Sequence, residues 1–219
     1  MFGRSKRKSS QAEESATPTT ETSSSAPDPE TASDPETATP ERTTGPFDES
    51  EVDGLDGRID LGGIWLRPVQ GMEVRLEVDQ ATDVVSAVQV SLDDATAQLQ
   101  AFAAPRSSGI WDEIRAEIAG MIETNRGTAE ESSGPFGTEL LTRLPQPGPD
   151  GRTVFAPVIF VGVDGPRWFL RAVYSGRAAV DEQARRALDA VLAGSVVVRG
   201  ADPMAPREML PLQIPQGSS

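Results

Sequence analysis

One strand-like segment combines arginines with an aromatic side chain and is the part of the chain best suited to recognition chemistry. In an extended strand, Arg167 and Arg171 lie on one face and Trp168 lies on the other. Guanidinium groups spaced in this way, with Arg177 shortly after, can bind a carboxylate or a phosphate through charge-assisted hydrogen bonds. These four residues form our candidate recognition surface. The alternative is that the arginines pair with the many surface carboxylates of this acidic chain.

Carboxylate pairs are the second kind of residue that could do chemistry, as general acids and bases or as ligands of a metal ion such as Mg²⁺. The candidate pairs are neighbours in sequence: Asp93-Asp94, Asp112-Glu113 and Glu130-Glu131. Adjacent residues on a strand or a helix point in different directions, so these pairs are not expected to converge on one substrate. We therefore predict solvated surface charge, with no catalytic residue, no metal and no cofactor.

The residue types that the chain lacks exclude several classes of enzyme mechanism and metal site. The chain has no histidine and no cysteine, and its two lysines are Lys6 and Lys8. A folded domain beyond these lysines has no thiolate nucleophile, imidazole base, Schiff-base lysine or Cys/His metal cage. These missing groups favour a non-enzymatic protein over an enzyme. The net charge of −14 argues against general nucleic-acid binding, because phosphate neutralisation needs a basic surface. The lack of cysteine fits a reducing cytoplasm.

Composition divides the chain into a tail and one domain. Residues 1–46 have a short basic start and are otherwise rich in Ser, Thr, Pro and Glu, with no large apolar residue between Phe2 and Phe47. Such a segment cannot offset an ordering cost of roughly 1–2 kcal/mol per residue, so we predict an acidic disordered tail. Residues 47–215 are predicted to form a single domain. No run reaches the ~20 apolar residues of a membrane span, so we expect no stable membrane insertion.

Alternating apolar and polar residues predict antiparallel strands along much of the domain. In its first half they are expected at Arg58–Leu61, Ile64–Val69, Met72–Val78, Val84–Val90 and Ala95–Phe102. Later in the chain, Thr153–Val163 and Arg167–Tyr174 predict a hairpin. Its turn is expected at Asp164-Gly165, a favoured pair where the backbone needs a positive φ.

A first amphipathic helix is predicted to begin at Ile110. Ser107-Ser108-Gly109 offers its N-cap, and acidic residues in the first turns suit the helix dipole. Met121 belongs to its apolar stripe, and Gly127 is expected at its C-terminal cap.

A second amphipathic helix is predicted over Ala178–Ala193. Val180 is among its inward-facing residues, and Gly194 ends it. The proline-rich segment from Asp202 to Pro215 is expected to extend as a strap over its own domain, and the alternative is that it docks in a partner's groove as an extended peptide. Together these elements predict an α+β fold, a mainly antiparallel sheet with two amphipathic helices.

Six sequence blocks, in order, resemble those of one family. They are Gly45-Pro46-Phe47-Asp48, Asp60-Leu61-Gly62-Gly63, Trp111-Asp112-Glu113-Ile114-Arg115, Gly134-Pro135-Phe136-Gly137-Thr138-Glu139-Leu140, Val163-Asp164-Gly165-Pro166-Arg167-Trp168-Phe169-Leu170-Arg171 and Val196-Val197-Val198-Arg199-Gly200. The resemblance spans roughly Gly45 to Pro215, and the Asp-Gly-Pro-Arg-Trp-Phe-Leu-Arg motif is its most specific part. The family is an uncharacterised actinobacterial one, known as a domain of unknown function. The resemblance implies an actinobacterial cytoplasmic protein and brings no activity, cofactor or catalytic residues.

These observations favour a non-catalytic domain of adaptor or chaperone-like type that binds another protein. Trp and Arg are the commonest anchors of protein interfaces, and the residue types of most enzymes are missing. The alternatives are a small-molecule or anion-binding domain, a metal-dependent hydrolase that uses carboxylates alone, and an assembly domain that forms a homo-oligomer. A cavity lined by Arg167 or Arg171 together with acids would favour a small ligand, and a flat apolar patch would favour a protein partner.

Overall fold

The computed structural model describes residues 44–106 and 109–215, so most of the predicted tail lies outside the described residues. Eleven strands and two α-helices follow one another in the described ranges: β1 Phe47–Asp48, β2 Ile59–Asp60, β3 Ile64–Leu66, β4 Met72–Asp79, β5 Val84–Leu92, β6 Ala95–Ala103, α1 Ile110–Thr124, β7 Thr128–Gly134, β8 Gly137–Pro147, β9 Thr153–Gly165, β10 Trp168–Gly176, α2 Glu182–Ala193 and β11 Val196–Val197. Gly45 and Pro46, which we assigned to the tail, are buried.

The strands form two sheets. The large sheet has the order β4-β5-β6-β10-β9-β8-β7, and its neighbours pair antiparallel throughout. The small sheet has the order β1-β11-β3-β2, and only its β1–β11 pair is parallel among the described residues. This arrangement confirms the predicted α+β fold with a mainly antiparallel sheet and two helices.

Helices cover opposite faces of the large sheet. The residues of β6 alternate between buried and half-buried along its whole length, which is the period of a strand with one face in a core. The buried face packs with α2 and the small sheet in the larger core, while the helix α1 packs on β7, β8 and β9 from the other side. The fold thus has three layers, with the large sheet in the middle.

The proline-rich strap joins the two sheets. Its Leu210 N–H donates to the carbonyl of Ala101 at 2.9 Å, so the strap takes the place beside the end of β6 that β5 leaves free. Further on, Leu212 forms a β-bridge with Gly62, next to the small sheet. A Cβ at Gly62 would lie 2.7 Å from the carbonyl oxygen of Pro211, so this glycine permits the close approach. The strap therefore packs on its own domain, as predicted.

The termini of α1 differ from the prediction. The predicted cap residues Ser107 and Ser108 lie outside the described residues, and the helix begins after Gly109, whose φ is 103°. At the other end, Arg126 takes the positive φ (66°) that we assigned to glycine. The stripe prediction is wrong for Met121, which is 63% exposed, because it lies on a flank of the helix that no other layer covers.

The start of α2 and the turn of the hairpin also differ. Asp181 caps α2 with its side chain, so the helix begins after Val180, which is 70% exposed and not inward-facing. The hairpin is confirmed, but its turn lies at Pro166 and Arg167, since Gly165 pairs with Trp168. Proline sets the φ of the first turn position, and Arg167 supplies the positive φ (62°) at the second.

Replacing Gly162 by alanine should destabilise the domain. The added Cβ would lie 2.2 Å from Cδ2 of Trp111, so the indole must move, at a cost of about 1–3 kcal/mol. Urea unfolding measures the loss. Gly120→Ala is the matched control, because nothing lies within 4 Å of its added Cβ, and alanine favours the α1 interior by about 0.5–1 kcal/mol. Equal effects of the two changes would contradict the packing described here.

Candidate functional site

Trp168, the aromatic member of the candidate recognition surface, lies in the core. Its side chain is 0% exposed, and its indole N–H donates to Oδ2 of Asp48 at 2.8 Å. Gly165 makes room for the ring, since a Cβ there would lie 2.0 Å from it. A fully buried indole offers no area to a partner, so Trp168 cannot serve as a surface anchor in this structure.

Arg167 and Arg177 lie beyond opposite ends of β10. At a rise of about 3.3 Å per residue, a strand of this length holds them roughly 30 Å apart. Arg177 forms an ion pair with Asp181, whose carboxylate also caps α2. The three predicted arginines therefore do not converge on a single ligand.

Arg171 lies near the middle of β10 and is half-buried. Its guanidinium lies over the ring of Phe102 at 5.5 Å and donates from Nη2 to the amide oxygen of Gln100. Its Nε is buried, with no acceptor among the described residues, and no described carboxylate forms an ion pair with it. Burial lowers the pKa of this guanidinium. Arg171 is thus a desolvated cation without a counter-charge.

A half-buried surface surrounds Arg171 on the side of the sheet that carries α1. We define this open sheet face by the residues that β5, β6 and β10 present beyond the helix, which are Gln89, Gln98, Gln100, Arg171 and Val173. Three of them are neutral amides, which do not satisfy a charge as a carboxylate would. On α1, Arg115 reaches β7 through Glu131, so the opposite flank of the helix, which carries the exposed Met121, faces away from β7.

Four of the sequence blocks meet at a cavity of about 430 Å³ beside the start of α1. Trp111 forms its wall, and its indole N–H donates to the carbonyl of Thr138 at 2.7 Å. Arg115 stacks on the Trp111 ring and binds Asp112 and Glu131, at 2.7 and 2.8 Å. The charge of Arg115 is already neutralised by carboxylates of the protein. We therefore interpret the cavity as a place where four segments of the fold pack together, and not as a binding site for an anion.

Arg167 meets a different arginine from the one predicted. It lines a cavity of about 390 Å³ with Arg199, which follows two residues after the end of β11. Sequence reasoning paired Arg167 with Arg171 because they are close along the chain. The pairing of β1 with β11 brings Arg199 close to Arg167 instead. A contact between such distant residues cannot be predicted from a local sequence pattern.

A buried polar network was missed by the sequence analysis. Arg185 on α2 contacts Glu139 on β8 at 3.1 Å and Asp189 at 3.9 Å, and Asp189 accepts from the hydroxyl of Tyr174 at 2.8 Å. Burial raises the pKa of both carboxyls and holds the pKa of Tyr174 well above its usual range. The acids are far apart in sequence, so the search for neighbouring pairs did not find them. Arg185 lies between them, where a substrate or a metal would have to bind.

The described ranges 44–106 and 109–215 lack two further features. No three acidic side chains in them are grouped so as to hold a metal ion. No helix in them is both long and apolar enough to cross a membrane.

The buried carboxyl of Glu139, which is 3% exposed, should make stability depend on pH. Because burial raises its pKa in the folded state, the stability it contributes is fully present below pH 4.5 and is lost as the pH rises through the raised value. Each unit of that rise is worth about 1.4 kcal/mol. Urea unfolding of the wild type and of Glu139→Gln should therefore show wild-type stability falling relative to the variant above pH 4.5.

The control for this experiment is Glu182→Gln. Glu182 is an exposed residue whose hydrogen bond with Arg186 lowers its pKa, so its contribution has the opposite sign. If the free energy of unfolding of the wild type, relative to that of Glu139→Gln, stays constant or rises with pH, the ion pair with Arg185, and not burial, dominates the pKa of Glu139.

The six sequence blocks contribute residues that shape the fold more than residues that could do chemistry, and they are spread along the described domain. Comparisons with curated proteins and with solved structures find no match. The comparison with protein families does find one, and its range begins at the buried Gly45. Residues 45–219 match the family described as "Protein of unknown function (DUF3710)", and the chain belongs to that family.

Proposed function

We propose that this domain is a non-catalytic module that binds another protein through the open sheet face, with Arg171 at its centre. The observation that carries the proposal is the half-buried guanidinium of Arg171, which has a buried Nε without an acceptor and no carboxylate partner among the described residues. Of the four residues predicted for the recognition surface, Arg171 lies on this face, whereas the ring of Trp168 lies in the core.

The energetics of a buried cation support this assignment. Removing a charge from water costs several kcal/mol unless a partner charge and hydrogen bonds compensate for it. Arg171 receives one hydrogen bond acceptor, the neutral amide of Gln100, and a ring contact. The chain is rich in carboxylates, and buried arginines elsewhere, such as Arg115, have two of them. An acidic side chain of a bound partner would complete the missing pair.

The surroundings suit a protein partner better than a small molecule. The open sheet face carries three amide side chains, one of which, Gln98, donates to the carboxylate of Glu77 at its margin. The exposed Met121 lies on the flank of α1 that faces away from β7. Methionine adapts its shape to a partner, and amides provide both donors and acceptors. We therefore expect a partner segment that places a carboxylate on Arg171 and apolar atoms against Met121.

We also propose the cellular setting that the family resemblance implies, an actinobacterial cytoplasm. A chain without cysteine is suited to a reducing compartment. Self-association is the competing role for the same face, and light scattering of the purified domain tests it.

The variant Arg171→Met separates recognition from folding. Methionine keeps a long apolar stem over Phe102 but removes the charge, so stability should be unchanged or higher, because a buried charge is lost. Affinity for the partner should fall by about tenfold or more, since a hydrogen-bonded charge pair is worth about 1.5–3 kcal/mol. Quantitative capture from a lysate of the native organism, compared with urea unfolding, measures both effects.

Arg177→Met is the matched control, because Arg177 is an exposed arginine at the far end of β10 that is already paired with Asp181. Partner proteins should be depleted by the Arg171 change and retained by the Arg177 change. If Arg171→Met captures the same proteins as the wild type, or destabilises the domain as strongly as a core change, Arg171 has a structural role and the proposal is wrong.

A further inference from the structure

Arg167 and Arg199 line one cavity, and Arg199 also lines a second cavity with Asp60 and Asp202. The guanidinium groups of both arginines have few acceptors. Arg167 donates from Nη2 to the carbonyl of Gly200 at 3.4 Å, and Arg199 donates from Nη1 to the carbonyl of Asp202 at 3.0 Å. Both acceptors are neutral, whereas each guanidinium carries five N–H donors. The Nε of Arg199 is buried and has no acceptor among the described residues. Neither arginine forms an ion pair with a described carboxylate.

Two carboxylates, Asp48 and Glu49, also line the cavity, but neither forms an ion pair with Arg167 or Arg199. Asp48 uses both of its oxygens, since Oδ2 accepts from the Trp168 indole and Oδ1 accepts from the backbone N–H and the hydroxyl of Ser50. Glu49 is exposed and lies beyond ion-pair distance of both arginines. The cavity therefore carries two cations and two carboxylates that are not paired with each other, so each guanidinium still has free N–H donors for a ligand.

The walls of the cavity are fixed by the fold. β1 pairs with β11, which places Asp48 beside the segment that leads to Arg199. The hydrogen bond between the Trp168 indole and Asp48 then ties the β9–β10 turn, with Arg167, to the same place. A rigid arrangement of this kind holds both guanidinium groups in position before a ligand arrives, which reduces the entropy cost of binding.

The volume of the cavity indicates the size of the ligand. About 390 Å³ lies within the range of small-molecule sites, roughly 300–1,000 Å³, and has room for roughly a dozen waters at about 30 Å³ each. A bare oxyanion would leave part of this space empty. Guanidinium groups bind planar carboxylate and phosphate edges through two parallel hydrogen bonds.

We propose that the cavity between Arg167 and Arg199 is a binding site for a small anion with more than one negative charge, such as an organic phosphate or a polycarboxylate. This site shares no residue with the open sheet face, so it stands or falls independently of the proposed partner surface. Its ligand would accept charge-assisted hydrogen bonds from the guanidinium groups of both arginines.

Calorimetric titration of the full chain with pyrophosphate and with citrate tests the site, with sodium chloride at matched ionic strength as the blank. Saturable binding should be seen with at least one probe, and the stronger probe distinguishes the phosphate from the polycarboxylate class. Arg199→Met should weaken that binding by about tenfold or more, because charge-assisted hydrogen bonds are lost. Glu49→Gln should strengthen it, because a repelling carboxylate at the cavity is removed.

A second variant keeps the test decisive if Arg199→Met fails to fold. Arg167 has a positive φ in an exposed turn, where glycine is favoured, so Arg167→Gly removes the charge without strain on the backbone. It should also weaken binding by about tenfold. Arg177→Met is the control that should leave binding unchanged, because it removes the same charge from a paired surface arginine.

The indole N–H signals of the three tryptophans in an ¹H–¹⁵N spectrum locate the ligand. Trp168 should shift on titration, because its N–H is bonded to the Asp48 carboxylate of the cavity wall, whereas Trp111, bonded to Thr138, should not. Absence of saturable binding by the wild type would overturn the proposal. So would binding that Arg199→Met and Arg167→Gly leave unchanged, or that Arg177→Met weakens equally.

Discussion

The fold depends on one strand that is in contact with a core on each side. β10 lies in the middle of the large sheet between β6 and β9. Its residues are buried on both faces for part of its length, because a core lies on each side of the sheet. Trp168 and Leu170 enter the larger core, while Phe169 stacks on Trp111 of α1 from the other side. Alternating apolar residues on both faces of one strand fix its register, because a shift by one residue would exchange the two cores.

This constraint explains why the motif richest in arginine and aromatic residues is mostly structural. Gly162 and Gly165 lack side chains because an indole ring occupies the space beside each of them. Such a strand leaves few positions for recognition. Two cations of this hairpin, Arg171 in the middle of β10 and Arg167 in the turn before it, form no ion pair with a described carboxylate. The two proposed sites lie there, one on the sheet face and one at the edge of the small sheet.

The sequence was sufficient for the strands, the helices and the hairpin, because their signals are local and periodic. It was not sufficient for contacts between distant segments. Arg199 reaches Arg167 only through the pairing of β1 with β11, and Glu139 reaches Asp189 only through the packing of α2 on the sheet. The same limit applies to Trp168, because the sequence pattern around an aromatic residue in a strand is the same whether that face of the strand lies in a core or at a surface. Spacing along the chain gives the face of a residue but not what lies against that face.

The strap that closes the structure also sets the order in which it can form. Gly62 pairs with Leu212 across most of the described chain, and the end of β6 finds its neighbour in the same late segment. Contacts between such distant residues must close long loops before they contribute to stability, which slows folding. During synthesis, the small sheet and the end of β6 stay incomplete until the strap has left the ribosome. Truncation within the strap should therefore expose apolar surface in both sheets at once, a condition that favours aggregation.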